Sequence, residues 1–178
     1  MARIPKANTA EERSSDGVSL LISILVRFPQ IGTIHFESKN RILRLNFMLA
    51  RSLSPAEISE VQTKMAEHIK AYHHVTGRKP SCVNFECKQP YEKFCIFSLF
   101  RDLASLSKGE LSLLISMITE RFHDCLIMDD QDNLPDFMDD PGFPDDIIDS
   151  MMENVRFQRT AKNLTAMREN GRVLVFNK

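Results

Sequence analysis

Polar and ionisable side chains alternate along three segments whose patterns are typical of β-strands, at residues 32–37, 41–49 and 81–88. One face of the predicted sheet would therefore present an imidazole, a guanidinium, two amides and a carboxylate. Enzymes build acid–base sites from such groups, and proteins also use them to contact RNA. This candidate polar cluster comprises His35, Arg44, Asn46, Asn84 and Glu86.

Alternation in the following strand predicts that Cys95 and Phe97 share this face, with Phe97 as a ring on which an RNA base stacks. A simpler interpretation is that a helix, a C-terminal segment or a second copy covers the face, because Ile42, Met48 and Leu99 also fall on it. No nucleophile–base pair occurs at a recognised spacing, and no nucleotide-binding, zinc-protease or hydrolase motif is present. We therefore expect no catalytic residue, although the sequence leaves enzymatic activity open.

Histidines and cysteines are not spaced as metal ligands. The cysteines at positions 82, 87, 95 and 125 form no C-x-x-C motif. In apolar, strand-like stretches they are typical of buried, inert thiols in a reducing compartment. His73 and His74 are expected in solvent at a helix C-terminus, where the dipole favours an imidazolium. The sequence predicts no metal and no cofactor.

The net charge of −1 conceals a strong segregation of charge. Residues 1–122 carry +5, residues 123–153 carry −11 and residues 154–178 carry +5. Nine aspartates lie between Asp129 and Asp149, and like charges at this density favour a solvated linker. Alternatively, this acidic segment lies over a basic face or binds a cation.

Hydrophobic periodicity predicts the elements that position these residues. A helix from Asp16–Gly17 to Pro29 precedes strands at 32–37 and 41–49, and a helix begins at Ser54. Strands at 81–88 and 92–100, a helix that begins at Ser107 and a short closing strand at 125–128 follow. Ser54 and Ser107 each start a capping box, Ser-x-x-Glu.

This order contains an internal repeat of two ββα units, at about 31–76 and 81–122. From Arg41 onward the order is β-α-β-β-α-β, which is the ferredoxin-like order. The predicted fold class is α+β: duplicated ββα units form a ferredoxin-like antiparallel sheet with helices on one face, plus a C-terminal helix–hairpin arm. The predicted domains are a disordered N-terminus (1–16), a core (17–128), an acidic linker (129–143) and the arm (144–178).

The C-terminal arm is too apolar to remain in water. Asn170–Gly171 indicates a hairpin turn between apolar runs, and the preceding helix carries a wide apolar stripe. We expect the arm to dock on its own core or on a second copy, and we favour a homodimer with the arm at the interface. The predicted interface residues are Ile147, Ile148, Met151, Met152, Val155, Val173, Val175 and Phe176.

No apolar run approaches the ~20 residues that span a bilayer, and the N-terminus lacks the apolar core of a signal peptide. The sequence therefore predicts a small, non-catalytic cytoplasmic protein that acts as a protein-interaction or regulatory module and self-associates, without a membrane. Its partner would be another protein or a second copy. One alternative is an RNA-binding regulator whose basic surface is masked by the acidic linker, although the strands lack the aromatic pattern of RNA-binding sheets. The third is an enzyme that uses His35, Arg44 and Glu86.

Overall fold

The computed structural model describes residues 10–128, 147–157 and 162–177. The predicted acidic linker at 129–143 lies outside these residues, as does most of the predicted disordered N-terminus. The first helix begins at Ala10, ahead of the start predicted at Asp16–Gly17.

Four helices and six strands give the described residues an α+β fold, which confirms the predicted class. The strands form one fully antiparallel sheet in the order β3-β4-β2-β1-β5-β6. Within the described ranges, no helix has both the length and the apolar character needed to cross a membrane. The helices are α1 Ala10–Arg27, α2 Pro55–Thr76, α3 Lys108–Arg121 and α4 Ile147–Phe157; the strands are β1 Thr33–Glu37, β2 Ile42–Leu49, β3 Val83–Tyr91, β4 Phe94–Asp102, β5 Leu164–Glu169 and β6 Arg172–Asn177.

One face of the sheet is buried under the four helices. Ile34, Leu45 and Leu99 are cross-strand neighbours on this face and are fully buried. Residues from all four helices join them in a single apolar cluster. The opposite face, which we call the open face, is covered by no helix of the described residues.

The side chains of β4 point the opposite way from the prediction. Cys95, Phe97 and Leu99 lie on the buried face with no exposed surface, whereas Ser98 and Phe100 lie on the open face. The prediction was wrong because this strand is apolar on both sides, so its own alternation does not fix its orientation. The register of β4 with β2 determines which of its side chains face the core.

The predicted closing strand at 125–128 is reduced to one bridge between Leu49 and Leu126. Hydrogen bonds from the Ala50 amide to the Cys125 carbonyl and from the Ile127 amide to the Met48 carbonyl, each 2.8 Å long, flank it. β1 already pairs with β2 over residues 42–46, so only the end of β2 remains for this segment. The prediction of a full strand there was wrong.

The C-terminal hairpin completes the sheet of its own chain. β5 pairs with β1, and β6 pairs with β5. Asn170 and Gly171 both have positive φ angles, as the predicted two-residue hairpin turn requires. Helix α4 packs against α1, and its Asp149 carboxylate accepts a hydrogen bond of 2.8 Å from the Lys108 amide at the start of α3.

Only one of the two predicted capping boxes is complete. Ser54 and Glu57 exchange both hydrogen bonds at the start of α2. Ser107 accepts from the Glu110 amide, but the Glu110 carboxylate turns into the core instead of back to Ser107. Ser107 also shares a hydrogen bond of 2.8 Å with the Tyr72 hydroxyl, which ties α3 to α2.

We predict that Ser54→Ala lowers the free energy of unfolding by about 0.5–2 kcal/mol, because one N-terminal amide loses its partner. Ser107→Ala should cost more than Ser54→Ala, because the Tyr72 hydrogen bond is lost as well. Ser112→Ala is the control, with an expected change within about 0.5 kcal/mol. Urea unfolding of the full chain measures all three. If all three substitutions changed the free energy of unfolding by the same amount, neither Ser54 nor Ser107 would act as a cap.

Candidate functional site

The fully buried guanidinium of Arg101 is the centre of a polar network between β4, α2 and α3. Its Nε donates to Glu110 Oε1 at 2.6 Å, and its Nη2 donates to Glu110 Oε2 at 2.9 Å. This two-pronged arrangement is the strongest geometry for an arginine–carboxylate pair. Nη1 donates to Asp102 Oδ1 and to the Cys82 carbonyl, and Nη2 also donates to Ser105 Oγ.

Asp102 holds the chain around this guanidinium. Its carboxylate accepts from the amides of Ser81, Cys82 and Ser105 at 3.0–3.1 Å. Burial alone would raise the pKa of Asp102, but the hydrogen bonds from Ser105 and Cys82, together with Arg101, outweigh burial and lower the pKa to about 2. Burial likewise acts to lower the pKa of Arg101, but the hydrogen bonds and negative charge of Glu110 raise it. Both groups therefore remain ionised in the core.

His73 joins this network from the last turn of α2. Its Nε2 lies 2.8 Å from Glu110 Oε2 and 3.1 Å from Arg101 Nη2. Because an ionised carboxylate only accepts, we assign the proton to Nε2, which donates to Glu110 Oε2. Arg101 Nη2 already donates to Ser105 and Glu110, so it does not need Nε2 as an acceptor. The other ring nitrogen, Nδ1, is buried and has no hydrogen-bond partner among the residues that the structure describes.

The prediction that His73 and His74 both lie in solvent was wrong for His73. His73 is only 3% exposed, whereas His74 is exposed. The physical reason is helical spacing: His73 follows Ile69 by four residues and extends the buried stripe of α2 by one turn.

A groove with a volume of about 1070 Å³ runs between α2 and β3, and His73 is among the residues that line it. Ile69, Val83 and Phe85 supply apolar lining. The rest of the lining consists of other α2 residues and the loop that follows α2. The full lining of this α2–β3 groove is Gln62, Thr63, Ala66, Glu67, Ile69, Lys70, Ala71, His73, His74, Gly77, Arg78, Lys79, Pro80, Val83 and Phe85.

The charges around the groove are mainly positive. Lys70, Arg78 and Lys79 are exposed cations, and Glu67 is the single carboxylate of the lining. None of these three cations forms an ion pair with a carboxylate among residues 10–128, 147–157 and 162–177. The groove is therefore a cationic surface with apolar lining.

β3 is an edge strand, so one side of its backbone lacks a neighbouring strand among the described residues. The Cys82 carbonyl accepts from the Asp102 amide, which directs the backbone groups of even-numbered residues towards β4. In an antiparallel pair the direction alternates, so the N–H and C=O groups of Val83, Phe85 and Cys87 point away from the sheet. Asn84 Oδ1 accepts from the Phe85 amide at 2.9 Å, as expected for an outward N–H.

The five residues of the predicted polar cluster lie on the open face or at its edge. His35 and Arg44 are direct cross-strand neighbours, and His35 Nδ1 lies 2.9 Å from Thr165 Oγ1. Asn46 donates to Thr33 and accepts from Ser98, both at 2.7 Å.

The other two residues of the predicted polar cluster, Asn84 and Glu86, lie on β3, farther from His35. Glu86, on β3, pairs with Lys88 at 3.5 Å, and Asn84 is engaged with the Phe85 amide. β1 and β3 are three strand spacings apart, so at least about 14 Å separates His35 from Glu86. The structure therefore does not bring His35, Arg44 and Glu86 together as an acid–base site.

The predicted interface residues belong mainly to contacts within the chain. Ile148, Met152 and Val155 are buried on the side of α4 that packs against α1, and Ile147 is half-buried. Met151 accepts a hydrogen bond of 3.3 Å from Ser23. The other three, Val173, Val175 and Phe176, lie in β6, where Phe176 is 48% exposed and the two valines are half-buried.

Sequence reasoning missed the network of Arg101, Asp102, Glu110 and His73. A usable signal was present: Arg101 comes two residues after Leu99 in an apolar strand, so once Leu99 faces the core, Arg101 must do so too. A guanidinium placed there needs carboxylates, and Asp102 and Glu110 are the first two acids that follow it in sequence. The incorrect orientation assigned to β4 concealed this requirement.

Known proteins give no guide to the function of this arrangement. No protein-family model matches the chain, and no curated protein or solved structure matches it. Within the described part of the chain, no group of three or more histidine, cysteine or acidic side chains is placed to hold a metal ion.

We predict that Asp102→Asn destabilises the fold at neutral pH by about 2 kcal/mol, the equivalent of the lowered pKa. Since the folded pKa is depressed, the carboxylate contributes its full stabilisation above pH ~4 and loses it as the pH falls to about 2. The difference between wild type and variant should therefore shrink over that interval in urea unfolding measured from pH 2 to 7. The exposed Asp124→Asn is the control. A difference that does not depend on pH would contradict this account.

Proposed function

We propose that the protein is a protein-interaction module that binds an extended segment of a partner as an additional strand along β3. The observation that carries this proposal is the combination of an edge strand with outward backbone groups and a large groove beside it. Addition of a strand to a sheet edge is a recurring mode of peptide recognition. Backbone hydrogen bonds provide the affinity, and pockets for alternate side chains provide the selectivity.

The geometry suits a bound strand. A segment paired with β3 would lie about 4.8 Å from it, beside the flank of α2. Every second side chain of that segment would point towards the apolar lining formed by Ile69, Val83 and Phe85. The outward groups of Val83 and Cys87 would then gain partners, and the segment would displace Asn84 from the Phe85 amide.

The charges around the groove define the chemistry of the partner. Lys70, Arg78 and Lys79 lack carboxylate partners in the described structure, so a partner segment with aspartate or glutamate would supply them. Complementary charge raises association rates and excludes partners of the same sign. We therefore propose an acidic segment with alternating apolar side chains.

The RNA-binding and enzymatic alternatives have less support. Phe97, the predicted stacking ring, is in the core, and the guanidinium of Arg44 lies 5.8 Å from the centre of the Phe100 ring on the open face. His35 and Glu86 are too far apart to act on one substrate atom. The proposed module is therefore non-catalytic.

The ferredoxin-like organisation with duplicated ββα units is part of the proposal. β2, β4 and β3 are adjacent and antiparallel, and α2 and α3 lie on one face, as that order predicts. In the ferredoxin-like order, a fourth strand would pair with β2. Here β1 pairs with residues 42–46 of β2, and Leu126 forms a single bridge with Leu49 at the end of β2. The duplication accounts for two helices that begin at serine caps.

The homodimer and the cytoplasmic location stay predictions. The homodimer rested on the apolar stripe of α4, and this stripe now has a partner in α1 of the same chain. That argument for self-association therefore no longer applies. Light scattering of the full chain over a wide concentration range tests the oligomeric state directly.

The proposed binding is tested by selecting displayed peptides on the immobilised full chain and measuring the affinity of a selected peptide by fluorescence anisotropy. We expect the selected peptides to be rich in aspartate and glutamate and to alternate with apolar residues. If no peptide is selected above background, the proposal fails. If poly-uridylate binds more tightly than any peptide, the RNA-binding alternative replaces it.

We predict that Val83→Pro weakens the binding of a selected peptide at least about tenfold, because it removes one outward N–H that the added strand would use. The same substitution removes no hydrogen bond of the β3–β4 ladder, so the folded sheet should persist, which circular dichroism checks. Val83→Thr retains the N–H and the side-chain shape, and its affinity should stay within about twofold of wild type. Equal binding by the proline and threonine variants would exclude strand addition.

We predict that Lys70→Glu combined with Lys79→Glu weakens binding of the acidic peptide several-fold and reduces its dependence on salt, since two attractive charges become repulsive. Lys39→Glu, in the exposed β1–β2 turn, is the matched control and should have little effect.

If Asn substitutions at Asp129, Asp130 and Asp132 strengthen peptide binding, the acidic segment of the chain itself competes for the groove. If the protein with both Lys70→Glu and Lys79→Glu binds the acidic peptide as tightly as wild type, the proposed acidic partner is contradicted.

A further inference from the structure

Cys87 and Cys95 lie eight residues apart in sequence, and their Sγ atoms are 2.7 Å apart. Cys87 is on β3 and Cys95 is on β4, both on the buried face of the sheet. The register pairs Cys87 with Phe97, and an irregularity follows between Lys88 and Tyr91, close to where Cys95 lies on the opposite strand. The hairpin thus holds the two sulfurs less than 1 Å beyond the ~2.05 Å length of a disulfide bond.

The two thiols differ in accessibility. Cys95 has no exposed surface, whereas Cys87 is half-buried next to the edge of the sheet. Burial, and next the contact with Cys87, raises the pKa of Cys95 to about 12. Cys95 therefore keeps its proton, and the two thiols share a hydrogen bond in which either sulfur can be the donor. A pair of this kind has an outer sulfur that meets reagents and an inner sulfur that resolves the product.

We propose that Cys87 and Cys95 form a reversible intramolecular disulfide, with a low-molecular-weight disulfide such as oxidised glutathione as the oxidant. The Cys87 thiolate attacks one sulfur of the oxidant and forms a mixed disulfide, and the first small thiolate leaves. Cys95 then attacks Cys87 Sγ, its proton passes to the second departing thiolate, and the Cys87–Cys95 bond forms. Two protein thiols are oxidised by two electrons, and one small disulfide is reduced to two small thiols.

The expectation that all four thiols are buried was wrong, because Cys82 and Cys87 are only half-buried. Burial raises the pKa of both Cys82 and Cys125, and neither forms a hydrogen bond with another thiol in the described residues. The reactive pair is therefore specific. It does not depend on the proposed peptide binding, because it rests on contacts between β3 and β4 within the chain.

The proposal is tested by incubating the reduced full chain in glutathione buffers of increasing oxidised fraction, followed by alkylation in denaturant, which makes the buried Cys95 accessible, and mass spectrometry of peptides. We expect Cys87 and Cys95 to lose alkylation together, to be recovered as one linked peptide pair, and to regain alkylation after reduction. Cys82→Ser should leave this behaviour unchanged. If Cys87 and Cys95 stay fully alkylated in the most oxidising buffer, or if the recovered link involves Cys82, the proposal is wrong.

Single variants distinguish the two roles. Cys95→Ser should accumulate one glutathione on Cys87, because the resolving thiol is gone, whereas Cys87→Ser should leave Cys95 unmodified. Since Cys95 is fully buried, Cys95→Ala provides a second variant if serine prevents folding, as judged by circular dichroism. Glutathione found on Cys95 in the Cys87→Ser protein would reverse the proposed order and overturn the assignment.

Discussion

The buried charge of Arg101 constrains the packing of one end of the molecule. An unpaired ion in a protein interior is strongly disfavoured, and removal of one partner from a buried pair costs about 3–5 kcal/mol. Glu110 must therefore face inward, which leaves the capping box of α3 incomplete. The same charge holds Asp102, and through it the turn before β3, in place.

This constraint also shapes the groove. The hydrogen bond to Glu110 holds the His73 ring against the core at the C-terminal end of α2. The ring therefore lines the groove beside apolar side chains instead of extending into solvent. Arg78 and Lys79 follow immediately after the helix ends at Gly77, which adopts the left-handed conformation. The ten residues from His73 to Cys82 thus contribute His73 and the Cys82 carbonyl to the buried network, and Arg78 and Lys79 to the cations around the groove.

The sequence predicted those parts of the fold that depend on local signals. Ser54 with Glu57 marks the start of α2, Asn170–Gly171 marks the last hairpin, and alternation orients β2 correctly. It did not predict the orientation of β4, because orientation there is decided by pairing with β2 across the sheet. The network around Arg101 was missed for the same reason, since it joins residues from three elements.

The candidate site shows the same division between local and tertiary information. His35 and Arg44 were placed together because a short hairpin joins their strands. The distance between His35 and Glu86 depends on β4 and β2 being inserted between β1 and β3, which no local pattern reports. The proximity of Cys87 and Cys95 depends on the irregular end of one hairpin, and the sequence shows only that each lies in an apolar stretch.

The pairing of β5 with β1 has a consequence for biosynthesis. His35 and Thr165, which contact each other across these strands, are 130 residues apart. Ribosomes add about 5–20 residues per second, so the outer edge of β1 waits roughly 7–26 s for its neighbour. During that interval the nascent chain displays one unpaired edge of β1, the strand that carries Ile34 and Phe36, and such an edge is prone to aggregation. Pairing with β5 then covers this edge of β1.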